Sequence, residues 1–220
     1  MRSLTARSFP VGIPAGDVLL GGDLAIPASA DGVVIFAHGS GSSRHSPRNR
    51  FVAEELQAAG FATLLMDLLT VPEESLDALS GHLRFDIPLL AQRLTAATDW
   101  VTVQPGTRGL PAGYFGASTG GAAALVAAAQ RPDRIAAVVS RGGRPDLAEE
   151  ALGRVRSPTL LIVGGFDPVI EELNEAAMRS MTAPTRLEIV PGASHLFEEP
   201  GALEIVARLA REWFTQHLAV

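Results

Sequence analysis

The sequence predicts a single domain of the α/β class, spanning residues 1–220, with a mostly parallel sheet and helices on both faces. Of the 220 residues, 47% are hydrophobic and 19% are charged, so the chain can form one sizeable apolar core. From Gly32 onward, short apolar runs alternate with Gly-containing loops and amphipathic stretches of helical length. The runs lack strict polar alternation, which is typical of strands buried on both faces.

The predicted strands form two groups along the chain. Residues from Phe9 to Ile26 are expected to form two strands around a turn at Gly16-Asp17. The buried strands that follow are Val33 to Ala37, Phe61 to Met66, Gly113 to Phe115, Ile135 to Val139, Thr159 to Val163 and Arg186 to Val190. Ligands of such sheets bind at the carboxyl ends of the strands, so the loops after these runs are candidate binding loops.

Five helices are predicted between the strands. Their expected bounds are Phe51 to Ala59, preceded by the Ser46-Pro47 start signal, Asp86 to about Val103, Thr119 to Gln130, Pro168 to Met181, and Pro200 to about Leu218. The segment from about Thr70 to Leu83 contains no predicted element, so we expect a loop there that acts as a partial lid over a shallow, open pocket.

The absence of two residue types excludes several chemistries. All 18 basic residues are arginine, which rules out a Schiff-base lysine, a P-loop lysine and a Ser-x-x-Lys pair. The chain has no cysteine, so it has no thiol nucleophile, no cysteine-based metal site and no disulfide. We expect neither a metal nor an organic cofactor.

Charge and hydropathy also limit the partners. The net charge is −6 and there is no basic stripe, which disfavours binding to nucleic acid or to an anionic membrane. The first residues lack the apolar stretch of a secretory signal, and no run approaches the roughly 18 apolar residues of a membrane span. The expected location is the cytoplasm, and the sequence does not indicate an oligomeric state.

Ser118 is the candidate nucleophile. It is the central residue of Gly116-Ala117-Ser118-Thr119-Gly120, which matches the G-x-S-x-G pattern of a nucleophile elbow. A strand-like segment precedes this pattern and a helix-forming segment follows it. Small residues two positions either side of the serine are needed because larger side chains would collide in so sharp a turn. The alternative is a Gly-Ser turn that only begins an ordinary helix.

A serine nucleophile requires a base and a carboxylate that orients it. Of the five histidines, His195 follows the last predicted strand and is the candidate base. Asp167 ends the strand before it and is the candidate carboxylate, although an aspartate before Pro168 is also a good helix N-cap. The alternative carboxylates are Glu171, Glu172 and Asp146.

The order Ser118, Asp167, His195 is the chain order of α/β-hydrolases. Together with the His38-Gly39 loop, the G-x-D stretch that ends at Asp167 and the Ser194-His195 pair, it makes the chain resemble a small, capless α/β-hydrolase of the dienelactone-hydrolase-like branch. The resemblance extends from Gly32 to the C-terminus. Dienelactone hydrolases proper use a cysteine nucleophile, and this chain would use serine instead.

The resemblance also implies an oxyanion hole. The backbone N–H groups of Ser40 and Thr119 would donate to the developing oxyanion. His38 is expected to hold the loop by hydrogen bonds. The competing interpretation of His38-Gly39-Ser40-Gly41-Ser42-Ser43 is a phosphate loop, but the lysine that such a motif needs is missing.

Arginines follow two of the predicted strands and are candidate substrate ligands. Arg44, His45 and Arg48 follow the His38 loop, and Arg141 and Arg144 follow the strand that begins at Ile135. These arginines could bind a carboxylate or phosphate on the substrate. The alternative is that they form ion pairs with Asp146, Asp67 or surface glutamates.

The sequence therefore predicts a serine hydrolase that cleaves a small carboxylic ester or lactone through an acyl-enzyme. One alternative is a non-catalytic ligand-binding or regulatory protein on the same fold. Another is a haloperoxidase-like or lyase use of the same three residues.

Overall fold

The computed structural model describes residues 6–218, which include one eight-stranded sheet. The strands are β1 (Arg7–Ala15), β2 (Val18–Ile26), β3 (Gly32–Ala37), β4 (Phe61–Met66), β5 (Ala112–Ala117), β6 (Ile135–Arg141), β7 (Thr159–Gly164) and β8 (Thr185–Val190). Their order across the sheet is β1-β2-β4-β3-β5-β6-β7-β8. The β1–β2 and β2–β4 pairs are antiparallel, and the other neighbours are parallel.

The helices cover both faces of the sheet, as the sequence predicts. They are α1 (Pro47–Ala58), α2 (Val71–Ser80), α3 (Ile87–Val101), α4 (Thr119–Gln130), α5 (Pro168–Ser180) and α6 (Ala202–Leu218). One apolar core lies between the sheet and α3 and α4, and a second lies between the sheet and α1 and α6. Within residues 6–218, no helix has both the length and the apolar character needed to cross a membrane.

Local signals explain where several helices begin. The Ser46 side chain accepts a hydrogen bond from the Asn49 backbone N–H at the start of α1, and Pro47 occupies the first turn. Asp86 caps α3 in the same way, by accepting from the Leu89 N–H. A proline in the first turn costs no helical hydrogen bond, because the N–H groups there have no intrahelical partner.

The expected loop from about Thr70 to Leu83 is wrong, because this segment contains the helix α2 followed by a 3₁₀ turn at Leu83–Phe85. Thr70 and Glu73 form a reciprocal capping box, in which each side chain accepts from the other's backbone N–H. Gly81 ends the helix with a φ of 69°. The sequence analysis overlooked this capping box, and Pro72 lies in the first turn of α2.

Candidate active site

Ser118 lies on a strained turn between β5 and α4, at the carboxyl edge of the sheet. Its φ of 51° and ψ of −122° are unfavourable for a residue with a side chain, at a cost of about 1–3 kcal/mol. A Cβ at position 120 would collide with the Ala37 carbonyl oxygen, and one at position 116 would lie 2.6 Å from the Gly120 carbonyl oxygen. The two glycines therefore permit a turn that directs the Ser118 hydroxyl away from the sheet.

His195 and Asp167 are in direct contact. The His195 Nδ1 lies 2.6 Å from Asp167 Oδ2, so Nδ1 carries the proton and donates it to the carboxylate. Asp167 occupies the N-cap position of α5, but its side chain makes no capping hydrogen bond there. The carboxylate therefore orients the imidazole and does not cap the helix. Nε2 of the ring is left able to accept a proton.

The loop that carries His195 is held at two points. Glu199 Oε2 accepts a hydrogen bond of 3.0 Å from the Ser194 N–H, and this bond lowers the pKa of the Glu199 carboxyl. The imidazole lies against Gly142, where a Cβ would approach its Cε1 to 3.4 Å. The sequence analysis did not identify Glu199 or Gly142, because their contacts with the His195 loop form only when the loops fold.

Ser118 and His195 line one cavity of about 170 Å³. No hydrogen bond joins the Ser118 hydroxyl to the His195 ring among the bonds of residues 6–218. In enzymes without substrate, this contact is often long and shortens when substrate binds. The arrangement thus brings all three sequence-predicted residues to one site, with the His195–Asp167 contact already formed.

The loop after β3 approaches the serine closely. A Cβ on Gly39 would lie 3.0 Å from the Ser118 Cβ, so only glycine fits there without displacement. The Ser40 and Thr119 hydroxyl oxygens are 3.1 Å apart. Thr119 is the first residue of α4, so its N–H has no partner within the helix and is available to an anion. Ser40 and Thr119 therefore lie next to each other beside the Ser118 turn.

His38 anchors this loop to the end of β4. Its Nε2 accepts a hydrogen bond of 3.0 Å from the Leu68 N–H, and its Nδ1 donates one of 2.9 Å to the Gly39 carbonyl. The bond from Leu68 requires the neutral ring, because a protonated imidazole has no acceptor at Nε2. Burial lowers the pKa of His38 below its ordinary value of 6.5. The hydrogen bond to Gly39 raises this pKa, but by less than burial lowers it.

We expect His38 to make folding stability fall in acid. Below pH 6.5 the unfolded chain binds a proton that the folded His38 excludes, so the free energy of unfolding rises with pH towards 6.5. One such proton contributes a slope of at most about 1.4 kcal/mol per pH unit. Urea unfolding of the wild type and of His38→Gln between pH 5 and 8 should show a smaller slope in the variant. Equal slopes would contradict this role.

Two of the candidate substrate-binding arginines are paired with aspartates. Arg44 forms an ion pair with Asp67 through Nη1. Arg144 forms a bidentate pair with Asp146 at 2.8 and 2.7 Å. These are the ion pairs that the sequence analysis gave as the alternative. Both carboxylate oxygens of Asp146, an alternative carboxylate for His195, are therefore bonded to Arg144.

The other three candidates lie at cavities close to Ser118. Arg48 and Arg141 line the same cavity as Ser118. Arg48 also contacts Glu198 at 3.0 Å through Nη1. His45 lines a neighbouring pocket, and its Nδ1 is 2.8 Å from Arg50 Nη2. Of the four candidate arginines, Arg141 forms no ion pair with any carboxylate between residues 6 and 218.

The neighbouring pocket has a volume of about 570 Å³ and is lined by both the His38 loop and α2. Its lining includes Glu74 and Asp77 of α2, as well as Ser40 and Thr119. Burial and the nearby Asp67 raise the pKa of the Glu74 carboxyl. The segment that we expected to be a loop over a shallow pocket is thus a helix that forms one wall of a larger one.

A sequence model of the dienelactone hydrolase family matches residues 20–217. The chain belongs to the dienelactone hydrolase family. The family is one of α/β-hydrolases, and the eight-stranded, mostly parallel sheet agrees with it. This membership confirms the resemblance on which part of the sequence analysis relied.

Solved structures agree with this assignment. The crystal structure of a dienelactone hydrolase from Anabaena variabilis has 61% sequence identity and a TM-score of 0.95, and the match covers 97% of this chain and 99% of that one. Est1E from Butyrivibrio proteoclasticus shares the fold, with a TM-score of 0.79 at 18% identity over 94% of this chain and 98% of its own.

A Mycobacterium tuberculosis protein is 58% identical over 212 residues and is named as a candidate phosphoribosyl transferase. The match covers 96% of this chain and 47% of the mycobacterial protein. The chain therefore spans about half the length of this relative, and the transferase name applies to the longer protein.

Proposed function

We propose that this protein is a serine hydrolase that cleaves a small carboxylic ester or lactone through an acyl-enzyme. The observation that supports it most is the 2.6 Å contact between His195 and Asp167 beside the strained Ser118 turn. An imidazole held in this tautomer is the base that a serine hydroxyl needs near neutral pH. The name of the Anabaena relative, with its 61% identity, supports ester or lactone substrates.

In the first half of the reaction, Ser118 Oγ attacks the ester carbonyl carbon while His195 Nε2 takes the hydroxyl proton. The oxyanion that forms accepts hydrogen bonds from the Ser40 and Thr119 N–H groups. The imidazolium is stabilised by Asp167. The bond between the carbonyl carbon and the leaving oxygen then breaks, and His195 returns its proton to that oxygen.

In the second half, water attacks the acyl carbon after the alcohol has left. His195 Nε2 removes a proton from the water and gives it to Ser118 Oγ as the acyl bond breaks. The products are the acid and the free serine. For a lactone, the alcohol stays attached to the acyl chain, and the product is a hydroxy acid.

Covalent labelling tests the nucleophile directly. A fluorophosphonate should add once to the folded wild type, since only a serine with an adjacent base reacts readily with such reagents. The adduct should map to tryptic peptide 109–134, in which Ser118 is the only serine. Urea-unfolded protein is the control and should not react. An unlabelled native protein would favour the non-catalytic alternative.

A further inference from the structure

The loop that follows β6, from Arg141 to Arg144, holds the backbone of Ser118 from both sides. The Arg141 carbonyl accepts a hydrogen bond of 3.2 Å from the Ser118 N–H, and the Arg144 N–H donates one of 3.1 Å to the Ser118 carbonyl. The loop is also bonded to β7, because the Gly142 N–H donates to the Ile162 carbonyl at 2.7 Å. The position of the Ser118 turn therefore depends on the position of this loop.

The same loop packs against His195. Gly142 has a φ of 51°, and a Cβ at this position would lie 3.1 Å from the His195 carbonyl oxygen and 3.4 Å from the ring Cε1. The loop therefore contacts both the candidate base and the candidate nucleophile, so a shift of the loop changes the distance between them. An error of about 1 Å in such a geometry can cost about 100-fold in rate.

One buried side chain connects this loop to α5. The Gly143 carbonyl accepts a hydrogen bond of 3.0 Å from Asn174 Nδ2, and Asn174 is fully buried. Within residues 6–218, no other side chain forms a hydrogen bond with the backbone of residues 141–144. The bond between Asn174 and Gly143 is therefore the side-chain contact that fixes the loop.

A second hydrogen bond orients the Asn174 amide. Nδ2 also donates to the Ile170 carbonyl, one turn earlier in α5, at 2.7 Å. With one N–H bonded to its own helix, the group directs the other towards Gly143. The Asn174 Oδ1 is buried and has no hydrogen-bond partner among the described residues, which costs stability. A leucine of similar size would avoid this cost and favour the helix more, so the stability of α5 does not account for an asparagine here.

The helix α5 also carries the carboxylate that holds His195. Asp167 is the N-cap residue of α5, and its Oδ2 accepts the 2.6 Å hydrogen bond from His195 Nδ1. Asn174 lies two helical turns further along and therefore on the same face of the helix. One helix thus holds the base through Asp167 and the loop that holds the nucleophile through Asn174.

We propose that Asn174 is a positioning residue for the reaction, whose hydrogen bond to Gly143 sets the distance between Ser118 Oγ and His195 Nε2. The inference rests on the proposed function of Ser118. Asn174 lines neither of the two cavities beside Ser118, so it acts through the loop and not on the substrate. Its loss should therefore affect the chemical step more than substrate binding.

Two substitutions separate the two bonds of the amide. Asn174→Leu keeps the approximate size and removes both donated bonds. Asn174→Ser removes the bond to Gly143, which a serine is too short to reach, but its hydroxyl can still donate to the Ile170 carbonyl as serines in helices do. Both variants should lower kcat on a small ester by about 10- to 100-fold, with KM within about twofold of the wild type. Fluorophosphonate labelling of Ser118 should slow by a similar factor.

Ser157→Ala is the matched control. The Ser157 hydroxyl is also buried and donates to a backbone carbonyl, that of Ile135, at 2.7 Å, but at the opposite end of β6 from Ser118. It should change kcat by less than about twofold when all variants are assayed well below their unfolding temperatures. A loss in Ser157→Ala as large as in Asn174→Leu would overturn the proposal, as would a loss confined to KM or an Asn174→Ser enzyme with the wild-type kcat.

Hydrogen exchange measured by NMR separates this inference from the proposed function, because it needs no turnover. In both Asn174 variants, the Gly142 and Arg144 amide protons should exchange at least tenfold faster than in the wild type. The Val138 amide, which donates to the Pro158 carbonyl in the same part of the sheet, should keep its wild-type rate. Unchanged exchange at Gly142 and Arg144 would mean that Asn174 does not fix the loop, whatever the activity. If exchange quickens as expected but the wild type never hydrolyses an ester, the loop contact stands and the hydrolase proposal fails.

Discussion

Ser118→Ala is expected to lower kcat on a small ester by about 10⁴-fold or more and to abolish fluorophosphonate labelling. The reason is that the variant lacks the atom that forms the acyl-enzyme, so only residual stabilisation by the oxyanion site and by substrate binding is left. The measurement is single-turnover and steady-state hydrolysis by the purified variant. Retention of most of the wild-type rate would exclude Ser118 as the nucleophile.

Ser118→Gly provides a matched control for folding. The backbone at position 118 has a φ of 51°, which glycine adopts without the steric cost that serine and alanine share. Ser118→Gly should therefore be as inactive as Ser118→Ala, yet at least as resistant to urea. If both variants lose activity because they unfold, their unfolding midpoints will reveal it. Loss of activity with intact stability assigns the effect to the hydroxyl.

Asp167→Asn is expected to reduce kcat by about 10³- to 10⁴-fold. In the wild type, the His195 Nδ1–H donates to the Asp167 carboxylate at 2.6 Å. An asparagine amide at this position would favour the opposite tautomer of His195 and could not stabilise the imidazolium. Stability should change little, because the Asp167 side chain does not cap α5. Steady-state kinetics with urea unfolding on the same samples separates the two effects.

Neutralising the alternative carboxylates is the control for this assignment. Asp146→Asn removes a carboxylate that is already paired with Arg144, and Glu171→Gln removes one from the first turn of α5. Each should change kcat by less than about threefold. A severe loss in either variant, together with a nearly silent Asp167→Asn, would move the orienting role away from Asp167.

Much of the fold could be predicted because each local signal agrees with its tertiary environment. The run from Phe61 to Met66 is apolar except for Thr63 and forms a strand buried along its whole length. The helix from Thr119 to Gln130 has the expected bounds. Strand β5 was expected from Gly113 to Phe115 but extends from Ala112 to Ala117. Its pairing with both β3 and β6 lengthens a strand whose glycines and alanines are weak strand formers.

The segment around α2 was mispredicted for the opposite reason. The sequence analysis relied on apolar periodicity, and α2 has one buried residue, Asp77, with Leu76 and Leu79 largely exposed. The helix is stabilised by polar contacts at its ends, including the Thr70–Glu73 capping box and the bonds between Asp77 and Arg84. A search for capping boxes would have found it.

The sequence by itself determined the order and type of most elements, the elbow around Ser118 and the candidates Asp167 and His195. These features can be predicted from short-range patterns, because the spacing of glycines and the alternation of strand-like and helix-like segments are visible within a few residues. The tertiary structure decided which arginine has a carboxylate partner and which does not. The sequence does not distinguish Arg44, Arg141 and Arg144, but Asp67 and Asp146 form ion pairs with two of them, while β6 places the buried Arg141 at a cavity beside Ser118. The energy of a charge depends on all the groups that the fold brings within a few ångströms of it, and no local pattern contains that information.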